Sequence, residues 1–112
     1  MKDQKVYIDS ILECIENIET LTKDKTFAEV FDSLAIKLSI ERCFITLGEA
    51  VKKLGPETKT QIGSKIPWKE MAGMRDILIH DYFDIDIKIL WETIETDIPK
   101  LKQAISVYLT RT

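Results

Sequence analysis

The segment 74–83 contains the residue types best suited to chemistry in this chain. It holds the single histidine, His80, together with Arg75, Asp76 and Tyr82. The aliphatic run between them indicates an ordered, packed backbone, so these polar groups are held in place. A histidine exchanges protons near neutral pH, and an arginine can bind a phosphate through two parallel hydrogen bonds. The residue types therefore suit proton transfer beside a phosphate group.

The spacing of these residues limits how they can cooperate on a helix. Arg75 and Tyr82 lie within about 20° of each other around an ideal helix. Asp76 and His80 are four residues apart, so the carboxylate could hold the imidazole in one tautomer and favour its protonated form. Arg75 and His80 are about 140° apart and do not share a face. They can act together only if the helix ends or distorts near His80, or if a symmetry mate supplies the second group.

A structural interpretation of the histidine stands beside the catalytic one. A lone histidine near a helix end often serves as a capping residue or as a hydrogen-bonded core residue. The spacing alone does not decide between these roles for His80.

The pattern Arg75-x4-His80-x-Tyr82 resembles the Arg-x4-His-x-Tyr signature of the HepT-like toxins, a prokaryotic branch of the HEPN superfamily. The similarity covers nearly the whole chain and includes segments on both sides of the motif. These are Glu41-Arg42-Cys43-Phe44, Leu47-Gly48-Glu49-Ala50, Ile66-Pro67-Trp68, Asp81-Tyr82-Phe83, Trp91 and Ile98-Pro99.

This resemblance implies a helical homodimer whose cleft is lined by Arg75 and His80 of both protomers, with Tyr82 as the motif tyrosine. It implies an endoribonuclease that uses no metal or other cofactor, because RNA carries its own nucleophile, the 2′-hydroxyl. A histidine can remove that proton or protonate the leaving 5′-oxygen, and a guanidinium can offset charge in the transition state. One histidine cannot easily do both, whereas two copies across a twofold axis can. The expected products are a 2′,3′-cyclic phosphate and a 5′-hydroxyl, and the target could be tRNA or mRNA.

The resemblance also implies a partner. HepT-like toxins are typically encoded beside an MntA-like nucleotidyltransferase antitoxin, in a type II toxin–antitoxin system. In the family this partner can transfer AMP to the motif tyrosine, here Tyr82. Added phosphate charge at the cleft would repel an RNA backbone.

A rival interpretation comes from another class of protein. It is a non-catalytic helical module that binds a nucleotide or a nucleotidyltransferase, with Arg75 and His80 serving only for binding. The net charge of −3 favours this rival, because proteins that coat nucleic acid are usually basic. The intact motif favours the enzyme, whose RNA contacts must then be local. A purely structural dimer is a third interpretation.

The composition predicts one all-α domain over residues 1–112. Hydrophobic residues make up 45% of the chain, and glycine and proline number only 4 and 3. No apolar run approaches 18 residues, so we expect a cytoplasmic protein with no membrane contact. Cys14 and Cys43 lack metal-ligand spacing, and with one histidine they are expected to be two buried thiols and not zinc ligands.

The apolar periodicity predicts an up-and-down bundle of four main helices and a possible short extra helix in 56–66. The first helix is expected over 3–22 and the second over 27–53, with a capping box from Thr26 to Glu29. The motif helix is expected to begin with Pro67 at its first position. Asp84 or Asp86 could cap the last helix, which Pro99 should kink or restart.

The sequence also allows predictions for an arginine, a glycine, a tryptophan and a group of lysines. Arg42 lies in the apolar band of the second helix, where a salt bridge to Glu49, or to an acidic group on another helix, would satisfy a buried guanidinium. Gly48 in mid-helix indicates close approach of another helix. Trp68 is expected to pack in the core. Five lysines could steer RNA towards the motif or simply aid solubility: Lys52, Lys53, Lys59, Lys65 and Lys69.

Overall fold

The computed structural model describes residues 3–111, and these residues fold entirely into helices and short connections. The all-α prediction is therefore confirmed; residues 1, 2 and 112 of the predicted domain lie outside the described residues. The helices are α1 (Gln4–Thr22), α2 (Phe27–Phe31), α3 (Leu34–Lys53), α4 (Pro56–Gly63), α5 (Trp68–His80), α6 (Ile87–Glu92) and α7 (Ile98–Arg111). A 3-10 turn, Tyr82–Asp84, follows α5, and a π turn, Thr93–Asp97, joins α6 to α7.

Local capping explains where several helices begin. The Asp3 side chain accepts a hydrogen bond from the Lys5 backbone N–H and starts α1. The predicted capping box of α2 is present: Thr26 Oγ1 accepts from the Glu29 N–H, and the Glu29 carboxylate accepts from the Thr26 N–H. Each such cap satisfies donors that the first helical turn leaves unpaired.

The prediction of one continuous helix over 27–53 is wrong, because the helix is interrupted at Asp32 and Ser33. The Ser33 hydroxyl accepts from the Ile36 N–H and starts α3 there, while the apolar pattern runs on across the break. The possible short helix in 56–66 is the eight-residue α4. Pro67 was predicted to be the first residue of the motif helix. α5 instead begins one residue later, at Trp68, and Pro67 occupies the N-cap position.

The last helix accommodates Pro99 without a break. Asp86 caps α6 through the Lys88 N–H. Proline has no N–H for the carbonyl four residues earlier, and the helix widens into a π turn just before it. In this turn the Ile98 N–H bonds the Thr93 carbonyl, five residues back. The predicted kink or restart is thus a local π distortion within a continuous helical run.

The core lies around α3, against which α1 and α5 pack. Its fully buried side chains include Ile11, Ile15, Ile18, Ile40, Phe44, Leu47, Met71, Leu90, Leu101 and Ile105. α3 and α5 approach each other closely at Gly48, as predicted. A methyl group there would collide with Arg75 Cβ and lie 3.0 Å from the Met71 carbonyl oxygen. The missing side chain therefore sets how close α5 comes to α3.

Within residues 3–111, no helix is long and apolar enough to cross a membrane.

Candidate active site

Helices α3 and α5 run antiparallel and carry nearly all the polar groups of the motif region. Three polar links join them: Tyr82, just beyond α5, to Glu41, Arg75 to Glu49, and Asp76 to Lys52. Tyr82, which follows α5, meets Glu41 in the first half of α3, whereas Arg75 and Asp76, in the middle of α5, meet Glu49 and Lys52 near the end of α3, as antiparallel packing requires. The motif residues are thus positioned by one helix pair.

Arg75 is held half-buried by two carboxylates. Its side chain is 21% exposed, Nε lies 2.7 Å from Glu49 Oε2, and Nη1 donates to Asp76 Oδ1 at 3.0 Å. Nε is shielded from solvent and its N–H is poorly aligned with Glu49, so that contact is chiefly electrostatic. Together the two acidic groups fix the direction in which the guanidinium points.

Asp76 supports Arg75 and not His80. Its carboxylate accepts from Lys52 Nζ and from Arg75, and these two cations hold the pKa of Asp76 below its usual value of 3.8. The expected hydrogen bond from the His80 imidazole to the Asp76 carboxylate is absent among the described residues. The carboxylate is instead bonded by two charged donors, Lys52 and Arg75, which make stronger hydrogen bonds than neutral groups do.

His80 is the last residue of α5 and is exposed. The helix ends there because Asp81 leaves helical geometry, with φ −134° and ψ 47°. In the part of the chain that the structure describes, the imidazole makes no hydrogen bond or ion pair. Both ring nitrogens are therefore open to a ligand or to a neighbouring protomer.

Tyr82 lies in the 3-10 turn and is tied to a carboxylate that sequence reasoning missed. Its hydroxyl donates to Glu41 Oε1 at 2.9 Å, and Glu41 is only 4% exposed. The second oxygen, Oε2, is buried without a partner in residues 3–111. The carboxylate raises the pKa of Tyr82 above its usual 10.0. A signal for Glu41 did exist, because it lies seven residues before Gly48 and so shares the face that meets α5.

Arg42 corrects another expectation. It is exposed, and Glu49, its predicted partner, pairs with Arg75 instead. No hydrogen bond or ion pair of the Arg42 side chain occurs within residues 3–111. It lines a cavity of about 500 Å³ between α1, α3 and α5, to which Lys53, Glu49 and Arg75 also contribute. We call this cavity the basic groove.

A second cavity has the opposite charge. It holds about 590 Å³ between α5 and the segment from the 3-10 turn to the π turn. Its charged lining residues are all carboxylates: Glu70, Asp84, Asp86, Glu92 and Asp97. We call it the acidic groove. An anionic ligand would therefore favour the basic groove.

The other predicted features are placed as follows. Trp68 is half-buried against the core, and its indole N–H donates to the Gly63 carbonyl at 2.9 Å. Cys14 is a buried thiol, as expected, and burial raises its pKa to about 11, while Cys43 is only half-buried. Within the described residues, no three His, Cys, Asp or Glu side chains are grouped as metal ligands.

Comparison with known proteins gives a consistent picture. The profile of the family described as ribonuclease HepT-like matches residues 11–108. A Methanocaldococcus jannaschii protein, named as a gamma-glutamylcyclotransferase and, provisionally, an RNase, is 47% identical over 93% of this chain. This chain spans 46% of that relative. No solved structure matches the chain significantly.

Two other relatives are similar in length to this chain. A provisionally named RNase of the same archaeon is 40% identical over 91% of this chain and 84% of its own length. A protein named as a probable ribonuclease HepT, from Thermococcus cleftensis, is 39% identical over 90% of this chain and 91% of its own length.

Proposed function

Because this chain belongs to the ribonuclease HepT-like family, we propose that it is a cytoplasmic toxin that cleaves RNA internally without a metal ion. The chain would act as one HepT-like domain spanning residues 1–112. The observation that carries this proposal is the contrast between two motif residues. Arg75 is fixed by Glu49 and Asp76, whereas His80 is exposed and unbonded at the end of the same helix. The first arrangement suits phosphate binding and the second suits proton exchange.

In the proposed reaction, the RNA 2′-hydroxyl attacks the adjacent phosphorus and the 5′-oxygen leaves. One His80 accepts the hydroxyl proton, and a second His80, from another protomer, donates a proton to the leaving oxygen. Arg75 stabilises the extra negative charge on the phosphate oxygens. The products are a 2′,3′-cyclic phosphate and a 5′-hydroxyl. Atoms and charge balance without any further reactant.

A homodimer is part of this proposal, because each chain carries one histidine. Exposed apolar side chains near the motif support it: Phe83 is 100% exposed, Leu34 69% and Leu38 48%. Leu34, Leu38 and the Tyr82 partner Glu41 lie at helical spacing along one side of α3. Exposed apolar groups gathered at one place are typical of contact surfaces.

The proposal includes control by a nucleotidyltransferase antitoxin that transfers AMP to Tyr82, in a type II toxin–antitoxin system. Tyr82 is 37% exposed, so its ring is accessible, and its hydroxyl is held in a defined position by Glu41. A phosphodiester at this place would add negative charge within the motif, two residues from His80, and repel RNA. The rival function is a module that only binds a nucleotide or a nucleotidyltransferase. The acidic groove favours its second form, because a surface of carboxylates suits a protein partner better than an anionic nucleotide or RNA.

The direct test is cleavage of tRNA and of mRNA by purified protein in EDTA, with Tyr82 confirmed as unmodified by mass. His80→Ala is the control, since an exposed, unbonded side chain contributes little to folding. We expect cyclic-phosphate ends from the parent protein and none from the variant. If the unmodified parent cleaves neither RNA, the binding module becomes the better account. Growth arrest on expression, relieved by His80→Ala, would separate the toxin from that module in cells.

A further inference from the structure

We propose that the basic groove is a binding subsite for the RNA strand next to the cleaved bond, with Arg42 binding a flanking phosphate. This inference rests on the proposed ribonuclease function and names a residue outside the Arg-x4-His-x-Tyr motif. Arg42 lines the same cavity as Arg75, so a strand that binds Arg75 and continues along this cavity meets Arg42.

The charges along the groove suit a polyanion. Arg42 and Glu49 are seven residues apart on α3 and therefore lie on one side of the helix, about 10 Å apart along its axis. Lys53 follows one turn after Glu49. Because Glu49 is already paired with Arg75, its charge is compensated. Arg42 has no such partner in the described chain, so its guanidinium is free to bind a phosphate with two hydrogen bonds.

The walls of the groove suit a nucleotide. Its volume of about 500 Å³ falls within the range of small-molecule sites. Tyr7 and Ile79 give it apolar surface, against which an unpaired base can pack. The acidic groove is larger but lined by carboxylates, so it repels the same strand. Because the positive and negative side chains are gathered in different grooves, the basic groove can bind RNA even though the net charge of the protein is −3.

The test measures RNA binding in the non-cleaving His80→Ala background, to which Arg42→Ala is added. Arg111→Ala is the matched control, because it removes the same charge from an exposed position at the end of α7, outside the groove. The probes are an octauridylate and the dinucleotide UpU, whose only phosphate is the one at the cleaved bond. We expect Arg42→Ala to weaken octauridylate binding about tenfold and to lower the salt slope by about 0.7, the value for one single-strand phosphate. UpU binding should not change.

Each outcome decides between specific alternatives. Equal weakening by Arg42→Ala and Arg111→Ala would mean a general charge effect and would overturn the subsite. Loss of UpU binding, or a changed oligomeric state in sedimentation, would mean that Arg42 acts structurally, which also overturns it. If the parent protein cleaves RNA and Arg42→Ala binds octauridylate normally, the subsite is wrong and the ribonuclease stands. If the parent neither cleaves nor binds RNA, the ribonuclease proposal itself fails.

Discussion

The Tyr82 hydroxyl donates a 2.9 Å hydrogen bond to Glu41, a carboxylate buried in the contact between α3 and α5. The buried carboxylate has no other hydrogen-bond partner in residues 3–111, so the Tyr82 hydroxyl alone compensates for its burial. Buried charges are normally paired more fully, and an exception of this kind commonly marks a functional position. The bond also fixes the 3-10 turn that directly follows His80.

The first prediction concerns Glu41→Gln. The pKa of Tyr82 is raised first because its hydroxyl donates a hydrogen bond to Glu41, and further because burial and the negative charge of that carboxylate disfavour the phenolate. Neutral glutamine removes that charge while keeping the shape, so Tyr82 should ionise at lower pH in the variant, closer to the usual 10.0. Ultraviolet absorbance of tyrosinate during a pH titration measures this, and Tyr82→Phe in both backgrounds isolates the Tyr82 component. An unchanged Tyr82 titration would contradict the described bond.

A second prediction uses two glycines as a matched pair. Gly48→Ala should lower the free energy of unfolding by about 1–3 kcal/mol, because the new methyl group meets Arg75 and the Met71 carbonyl. Gly73→Ala, in α5, meets nothing within 4 Å and should stabilise by up to about 1 kcal/mol through helix propensity. Urea denaturation measures both. Stabilisation by Gly48→Ala would show that the helices are not in close contact there.

A third prediction concerns acid stability. Lys52 and Arg75 lower the pKa of Asp76 in the folded state, so this carboxylate stabilises the fold above its unfolded pKa of 3.8. That contribution is lost as the pH falls below 3.8 and through the folded pKa. Asp76→Asn lacks it, so the difference in urea midpoint between parent and variant should shrink on acidification. A difference independent of pH would argue against the ion pairs.

The fourth prediction separates charge from geometry at the motif. Arg75→Lys keeps a positive charge beside Glu49 and Asp76 but cannot bind a phosphate through a planar pair of N–H groups. We expect the single-turnover rate constant of RNA cleavage to fall about 100-fold, while the unfolding midpoint changes little. Single-turnover cleavage and urea denaturation on the same preparation give both values. Cleavage at the parent rate would remove Arg75 from the transition state.

The local parts of this structure could be predicted from sequence, because they depend on neighbours along the chain. The capping box at Thr26 and the close contact at Gly48 follow from residue type and spacing, and Asp86 is one of the two caps that the sequence offered for the last helix. The break at Ser33 was missed because apolar periodicity continues through it.

The polar partners could not be predicted in the same way, because they depend on the rotation of one helix against another. Arg42 and Glu41 are adjacent in sequence and about 100° apart around α3. That rotation buries the glutamate and exposes the arginine, although the apolar band indicated a buried Arg42. Likewise, the spacing along one helix suggested that Asp76 lies near His80. The ion pair between Asp76 and Lys52 depends on how α5 packs against α3, which the spacing does not give.

The links between α3 and α5 also determine the register in which the two helices pair. A slip of one turn, about 5.4 Å, towards the end of α3 would place Arg75 against Lys52 and Lys53, where like charges repel. A slip of one turn in the opposite direction would place Arg75 against Ile45 and Thr46, which have no carboxylate to pair with it. The charges that orient Arg75 thus also disfavour both neighbouring alignments of α3 and α5.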